Sequence, residues 1–355
     1  MTDDLLLLHV PHERRVLQLA LYAIHLATGN GIWCKMLRSG TIKAYLYDVA
    51  KFLMRFVERD PRYAQPNDKT FAPEITAVIK EVERLEDIES KCDPWTLECQ
   101  DYLRKWALDA PKDGDLCALR DWFMCGLHGG FRLSEWAQYE KRKKFGKHAV
   151  YKKRGNTKVA FAFCLCDVTF LEAGGAVIRH PEAAKNPELV KQIKLKWTHQ
   201  KNGDHGEVKL FVRHEIIDDK CFVASMMSIV LRFRRLCQRE CGKIRDDIPL
   251  SIYLNKDNKV LNITDQLITR IMRRCAIKVY KLDPKTDKIK LSSHSLRVGA
   301  CVILHAMGFT GEQIKFLLRW RSDAFMKYLR NIAILSMKQN KAIDTMSRMM
   351  PNSSM

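Results

Sequence analysis

The sequence predicts a mainly α-helical chain with a small antiparallel β-sheet, in two domains. A helical N-terminal domain is expected over residues 1–110, a mixed α/β domain over 111–335 and a tail over 336–355. Three observations carry this. Apolar residues recur at helical spacing, most clearly Ile42, Tyr45, Leu46, Val49, Leu53, Phe56 and Val57. Two alternating runs, 193–198 and 207–212, flank a polar stretch with Asn202-Gly203 at its centre, which signals a hairpin. A chain of 355 residues with 46% hydrophobic content is long enough to bury two cores.

The first hundred residues read as helices at about 13–28, 39–57, 73–87 and 94–108. Ser39 or Thr41 is placed to cap the second, and Asp60-Pro61 to end it. On its polar face Lys43, Lys51 and Arg55 are candidates for phosphate contact, with a merely solvated face as the alternative. The polar stretch 109–115, with Pro111 and Gly114, is the best linker candidate. An apolar helix follows over 116–127, then the turn Gly129-Gly130, then Phe131-Arg132-Leu133-Ser134-Glu135-Trp136.

Between Tyr139 and Lys158 the chain carries Lys141, Arg142, Lys143, Lys144, Lys147, Lys152, Lys153, Arg154 and Lys158 against Glu140 alone. So one-sided a run repels itself without a counter-charge, and it reads as a DNA-facing loop or edge. A nuclear-localisation patch is a compatible second reading. Strands are expected in 159–178 and 193–213. Helices return at 221–240, 264–279, 294–307, 311–318 and 323–335. Thr310-Gly311-Glu312-Gln313 has the form of a capping box. No internal repeat or low-complexity segment is found.

The formal net charge of +20 points to a polyanionic partner, and double-stranded DNA is the expected one. No run of about 18 apolar residues occurs, so no membrane partner is expected. The start, with acids ahead of a short apolar run, lacks the basic and longer apolar regions of a signal peptide. The twelve cysteines are scattered, often in apolar segments, as suits buried free thiols in a reducing compartment. Neither Cys92/Cys99 nor Cys237/Cys241 has a second half at zinc-site spacing, and no metal is expected.

The chemistry concentrates in residues 292–331. His294 and Arg297 lie three apart on an expected helix and share a face, with Ser292 or Ser293 placed to cap it. Trp320 stands between Arg319 and Arg321, and Tyr328 follows eight residues after Trp320. Cutting a phosphodiester needs charge stabilisation on the non-bridging oxygens, an activated nucleophile and a proton for the leaving oxygen. Arginine suits the first task, because its planar fork bonds phosphate oxygens in pairs and stays charged. Histidine passes protons near neutral pH, and a tyrosine hydroxyl needs cationic neighbours before it attacks. Taken one at a time, these are ordinary surface or packing features. Their order along the chain carries the reading.

That order resembles the tyrosine recombinases over about residues 115–335. Gly129-Gly130-Phe131-Arg132 with Glu135 three positions on resembles the family's first-arginine box. Lys201 lies at the hairpin turn where the family's lysine belongs, and His294-Ser295-Leu296-Arg297 resembles its second box. Trp320 stands at a position that is His or Trp in the family, and Tyr328 at the nucleophile's. The helix over 39–57 is more loosely similar to the N-terminal core-binding domain. Two features depart from the common pattern: the eight-residue spacing from Trp320 to Tyr328, and Leu318 where glycine is frequent. The eight-residue spacing resembles eukaryotic mobile-element members of the DIRS and Crypton groups.

The resemblance implies a core-binding domain followed by a mixed α/β catalytic domain. It implies a site-specific recombinase that cuts and rejoins DNA through a 3′-phosphotyrosyl intermediate, with neither metal nor cofactor. Arg132 and Arg297 would bind the scissile phosphate, supported by Glu135. His294 would handle the tyrosine proton, Lys201 would protonate the leaving 5′ oxygen, Trp320 would pack beside the phosphate and Tyr328 would attack. Lys43, Lys141, Arg142, Lys143, Lys144, Lys152, Lys153 and Arg154 are the candidate DNA contacts. The resemblance further implies a tetramer on DNA, with residues 336–355 as a link between protomers. Localisation would be nuclear in a eukaryote, and otherwise with the DNA in the cytoplasm. A domesticated DNA-binding protein without catalysis, or a type IB topoisomerase, remains the alternative.

Overall fold

The structure, a computed structural model, describes residues 10–29, 37–68, 70–85, 92–138, 143–145, 151–154, 157–160, 162–198, 205–214, 220–287, 289–320 and 323–329. At 151–154, 157–160, 324, 327 and 328 only the backbone is described. The described chain is mostly helical with a small antiparallel sheet, as expected. It divides into two compact units, Met1–Ser90 and Lys91–Met355.

In the first unit α1 (His12–Ala27), α2 (Ser39–Leu53) and α3 (Pro73–Leu85) pack on one another. Each brings apolar residues three and four apart, which places them on one face. Val16, Leu19, Ala20 and Ala23 of α1 meet Ile42 and Leu46 of α2 and Ile75 and Ile79 of α3. The expectations for α2 are corrected in part. Arg38 rather than Ser39 or Thr41 occupies its N-cap, and no side chain caps it. The helix closes at Leu53, well before Pro61, where the amides of Arg55 and Phe56 turn to carbonyls three residues back. Tyr45 and Phe56 fall outside the buried stripe; Phe56 instead meets Phe52 edge-on at the surface, 5.5 Å between ring centres. The Lys43 ammonium lies 2.6 Å from a Glu83 carboxylate oxygen, so its charge is already met in this structure.

The second unit begins with α4 (Leu97–Trp106), so the two compact units divide at Ser90, whereas the sequence suggested residue 110. Helix α4 packs on α5 (Asp115–Gly129) and on α9 (Asp265–Tyr280), burying Trp95, Cys99 and Leu103 in the second core. The stretch 109–115 is not a linker but a tight turn within this unit. The Gly114 amide donates to the Pro111 carbonyl, the Leu254 amide to the Asp113 carbonyl, and Arg235 pairs with the Asp113 carboxylate. Helix α5 is apolar on most of its circumference, as a helix enclosed by neighbours must be. It packs against α4, α8 (Phe222–Cys241) and α10 (Ser295–Ala306). Gly299 permits the approach of α10 to the chain before α4: a Cβ there would stand 2.2 Å from the Trp95 carbonyl oxygen.

Short helix α6 (Leu133–Trp136) follows, then strands β1 (Tyr151–Arg154) and β2 (Thr157–Ala160). These form an antiparallel ribbon within the basic run. The single strand region expected at 159–178 is broken. A 3₁₀ turn, Leu165–Asp167, separates β2 from β3 (Val168–Leu171), which turns at Gly174-Gly175 into β4 (Val177–Ile178). After α7 (His180–Lys185) the expected hairpin appears as β5 (Gln192–Trp197) and β6 (Glu207–Val212). The sheet order is β4-β3-β5-β6. Ile193, Leu195 and Trp197 face the core while Lys194 and Lys196 face out, so the period of two sets the register against β6. Small strands β7 (Ile252–Leu254) and β8 (Val260–Asn262) pair antiparallel, and α8 lies against β6 and β7.

Helices α8, α9 and α10 match the expected 221–240, 264–279 and 294–307 within one or two residues. Helix α11 (Gly311–Leu318) matches its expected bounds, and its capping box forms: the Thr310 hydroxyl accepts from the Gln313 amide at 3.2 Å, and the Gln313 side chain accepts from the Thr310 amide at 2.8 Å. The last expected helix is described as a 3₁₀ turn, Asp323–Phe325, and α12 (Met326–Leu329). The tail 336–355 lies outside the described residues. Among the described residues no helix is long and apolar enough to cross a membrane.

Candidate active site

The site starts at the end of α5. Gly130 terminates that helix in the left-handed region, φ 56°, where glycine carries no penalty. Phe131, fully buried among Trp122, Phe163, Trp197 and Phe222, anchors the next residue. Arg132 is thereby presented at the N-cap of α6. Its amide donates to one carboxylate oxygen of Glu135 and its Nη1 to the other, both at 3.0 Å. Glu135 is buried, yet it is an anion. Burial of a charge is tolerated where it is paired and hydrogen-bonded. The second cation is Arg319, whose Nη2 donates to Glu135 Oε2 at 2.9 Å with both side chains only 3% exposed.

Arg297 enters from the first turn of α10. Its Nη1 donates to the Gly130 carbonyl at 2.6 Å and its Nη2 to the Arg319 carbonyl at 3.5 Å. Its guanidinium carbon stands 4.2 Å from the centre of the Trp320 ring, a cation–π contact. Trp320 also meets Phe325, 6.4 Å between ring centres. His294 forms the N-cap of α10 rather than lying inside the helix, which corrects the expected cap at Ser292 or Ser293. Ser292 acts one step earlier, its hydroxyl accepting from the His294 amide at 3.3 Å. Burial, with the charge of Arg297 adding, holds the His294 imidazole below its ordinary pKa, so the neutral, proton-accepting form is favoured.

Four sequence-predicted residues therefore come together with Glu135: Arg132, His294, Arg297 and Trp320. Tyr328 is on α12, and α12 packs against α10, with Leu329 and Phe325 of the preceding turn clustering with Ala300 and Cys301. Lys201, Lys141 and Arg142 lie outside the described residues. Lys152, Lys153 and Arg154 lie on β1, and Lys143 and Lys144 are exposed just ahead of it. Lys43 belongs to the first unit. Among the described residues no group of three or more His, Cys, Asp or Glu is placed to hold a metal ion.

Three residues were given no role by the sequence reading. Arg319 was visible only as a neighbour of Trp320. Trp197 closes β5 on the buried face, and the Arg319 guanidinium carbon lies 3.8 Å from the centre of its ring. Lys209 shares the inward face of β6 with Phe211, and its Nζ donates to the Leu317 carbonyl at 2.8 Å. A lysine at an inward register position was the available signal. Burial, aided by Arg319, pushes Lys209 down to about 8.

The chain is similar in form to several solved DNA integrases and recombinases. An integrase of transposon Tn1549, solved with a circular-intermediate DNA, is 13% identical with a TM-score of 0.43, covering 88% of this chain and 80% of that one. A lambda integrase dimer bound to a COC′ core site is 12% identical with a TM-score of 0.38, covering 88% and 63%. The XerA recombinase is 13% identical with a TM-score of 0.36, covering 94% and 99%. No family model and no curated protein matches the sequence.

Electrostatically the site is a cationic well. Arg132 and Arg319 pair with one carboxylate, Glu135, and Arg297 joins them through the carbonyls of Gly130 and Arg319. Such an arrangement can hold an anion with planar donors from two directions, beside a neutral imidazole and an indole.

Proposed function

We propose that this protein is a tyrosine-type site-specific DNA recombinase. The observation that carries the reading is that Arg297, from a segment far along the second unit, is fastened beside the backbone that bears Arg132. Arg297 is fastened to the carbonyl of Gly130, two residues from Arg132, with Trp320 against its face. Two forks so placed suit one phosphodiester, whose charge rises as phosphorus becomes five-coordinate. In the reaction the Tyr328 hydroxyl oxygen attacks phosphorus and its proton passes to His294. The phosphorus–O5′ bond breaks, and Lys201 supplies the proton that makes the 5′-hydroxyl. The 3′-phosphotyrosyl bond retains the energy for rejoining, so a 5′-hydroxyl from a second strand can reverse the step.

The spacing from Trp320 to Tyr328 supports a eukaryotic mobile element of the DIRS or Crypton type as the source, with action in the nucleus. Strand exchange between two duplexes needs four sites, so the active form is a tetramer on DNA, with residues 336–355 linking protomers. The experiment is covalent trapping on duplexes carrying candidate element ends, with wild type and Tyr328→Phe. Wild type should form a protein–DNA adduct, and Tyr328→Phe should form none while still binding. An adduct that persists in Tyr328→Phe removes that tyrosine from the mechanism. Binding without any adduct in wild type favours a DNA-binding protein without catalysis, and relaxation of supercoils by a monomer favours a topoisomerase.

A further inference from the structure

Arg319 holds a backbone conformation, φ 56°, that glycine adopts freely and an arginine seldom does. Its side chain is buried. Its charge is met by one carboxylate oxygen of Glu135, by the nearby carboxylate of Glu207 on β6 and by the face of Trp197. Its Nε and Nη1 make no hydrogen bond among the described residues. A glycine would make this turn without strain, and an apolar side chain would cover the indole. Neither would hold Glu135 Oε2. The Arg132 amide also donates to Oε2, and the other oxygen of that carboxylate holds Arg132 Nη1, so the orientation of the Arg132 fork depends on a carboxylate that Arg319 and that amide keep in place together.

The same turn is tied to the hairpin at two points. Arg319 lies on Trp197, the last residue of β5, and Lys209 of β6 holds the carbonyl of Leu317. The Arg319 carbonyl in turn receives Arg297 Nη2. We propose that Arg319 is a positioning residue that sets the fork of Arg132 through Glu135 and couples the β5–β6 hairpin to the turn bearing Trp320. Its consequence for cleavage rests on the recombinase reading. Its consequence for the Arg132 fork does not.

The test uses the full chain with Arg319→Met, Arg319→Gly and Arg319→Lys. One readout is the Nε–H signal of Arg132 in ¹⁵N-arginine NMR, assigned with Arg132→Lys. The others are the DNA dissociation constant and the single-turnover rate of adduct formation at saturating DNA. Arg319→Met and Arg319→Gly should both move the Arg132 signal, although glycine relieves the backbone. They should lower the single-turnover rate ~10–100-fold, as expected for a misplaced phosphate ligand, and leave DNA affinity within about threefold. Arg319→Lys should recover part of the rate, because an ammonium can pair with Glu135 but cannot lie flat on the indole. If Arg319→Met and Arg319→Gly do not fold, the Arg132 signal in Arg319→Lys decides. An unmoved Arg132 signal together with a rate within about twofold of wild type overturns the proposal. If wild type forms no adduct on any duplex, the recombinase reading fails while the Arg132 signal still decides the coupling.

Discussion

Glu135 is the residue on which the site's charge balance turns, and Glu135→Gln isolates its charge from its shape. The carboxylate accepts from the Arg132 amide, from Arg132 Nη1 and from Arg319 Nη2. Glutamine keeps one accepting oxygen and replaces the other with a donor, which then faces a guanidinium or an amide. The Arg319 pair is enclosed, each side chain 3% exposed, whereas Arg132 is 19% exposed and can turn to water. Removing one partner of a buried pair costs about 3–5 kcal/mol, and a wetter pair about 0–1 kcal/mol. The expected loss is therefore roughly 3–5 kcal/mol, nearly all of it from Arg319. For a unit of this size about 2–4 °C is lost per kcal/mol, so the unfolding midpoint should fall by about 6–20 °C. The assay is urea unfolding followed by tryptophan fluorescence, supported by a thermal scan. Arg319→Met combined with Glu135→Gln should cost less than the sum of the single changes by ~1–3 kcal/mol. A loss below about 0.5 kcal/mol in Glu135→Gln, or strict additivity in the cycle, would refute the argument that this carboxylate is held by a buried pair.

Lys209 gives a pH prediction. Its folded pKa is about 8 against an ordinary 10.5, so the unfolded chain holds the proton more tightly. The penalty for burying the charge is complete below about pH 8 and disappears as pH rises to about 10.5, so stability gains across that window. Lys209→Met should be more stable than wild type at pH 7, with the difference shrinking by pH 10; a difference independent of pH would place the lysine in water. Neutralising Lys143, Lys144, Lys152 and Lys153 should weaken binding to all duplexes alike and flatten the log–log salt dependence by up to about four units, at ~0.9 per phosphate contact. An unchanged slope puts this ribbon away from DNA. Adduct formation should survive excess EDTA, since arginine and lysine supply the charge that divalent ions supply elsewhere; a strict Mg²⁺ requirement contradicts the mechanism.

The sequence by itself determined the features whose causes lie within a few residues. The capping box at Thr310, the alternation of Ile193, Leu195 and Trp197, and the apolar stripe through Ile42 and Leu46 each follow from local spacing, and each formed. The motif order also marked Arg132, Glu135, His294, Arg297 and Trp320 as candidates for one site. Tertiary structure decided what each of them touches. That α4 belongs to the second unit follows from the surface it buries on α5 and α9, which no local pattern in 94–108 encodes. Ser292 was well placed to cap α10, but its hydroxyl meets the amide of His294, which takes the N-cap itself. Arg319 and Lys209 had no role assigned from the sequence, because the letters carry charge and not burial. Only the fold brings Glu135, Trp197 and Leu317 against them, from segments far apart in the chain. A cation's role depends on the anion, ring or carbonyl it meets after desolvation, and that meeting is set by long-range packing.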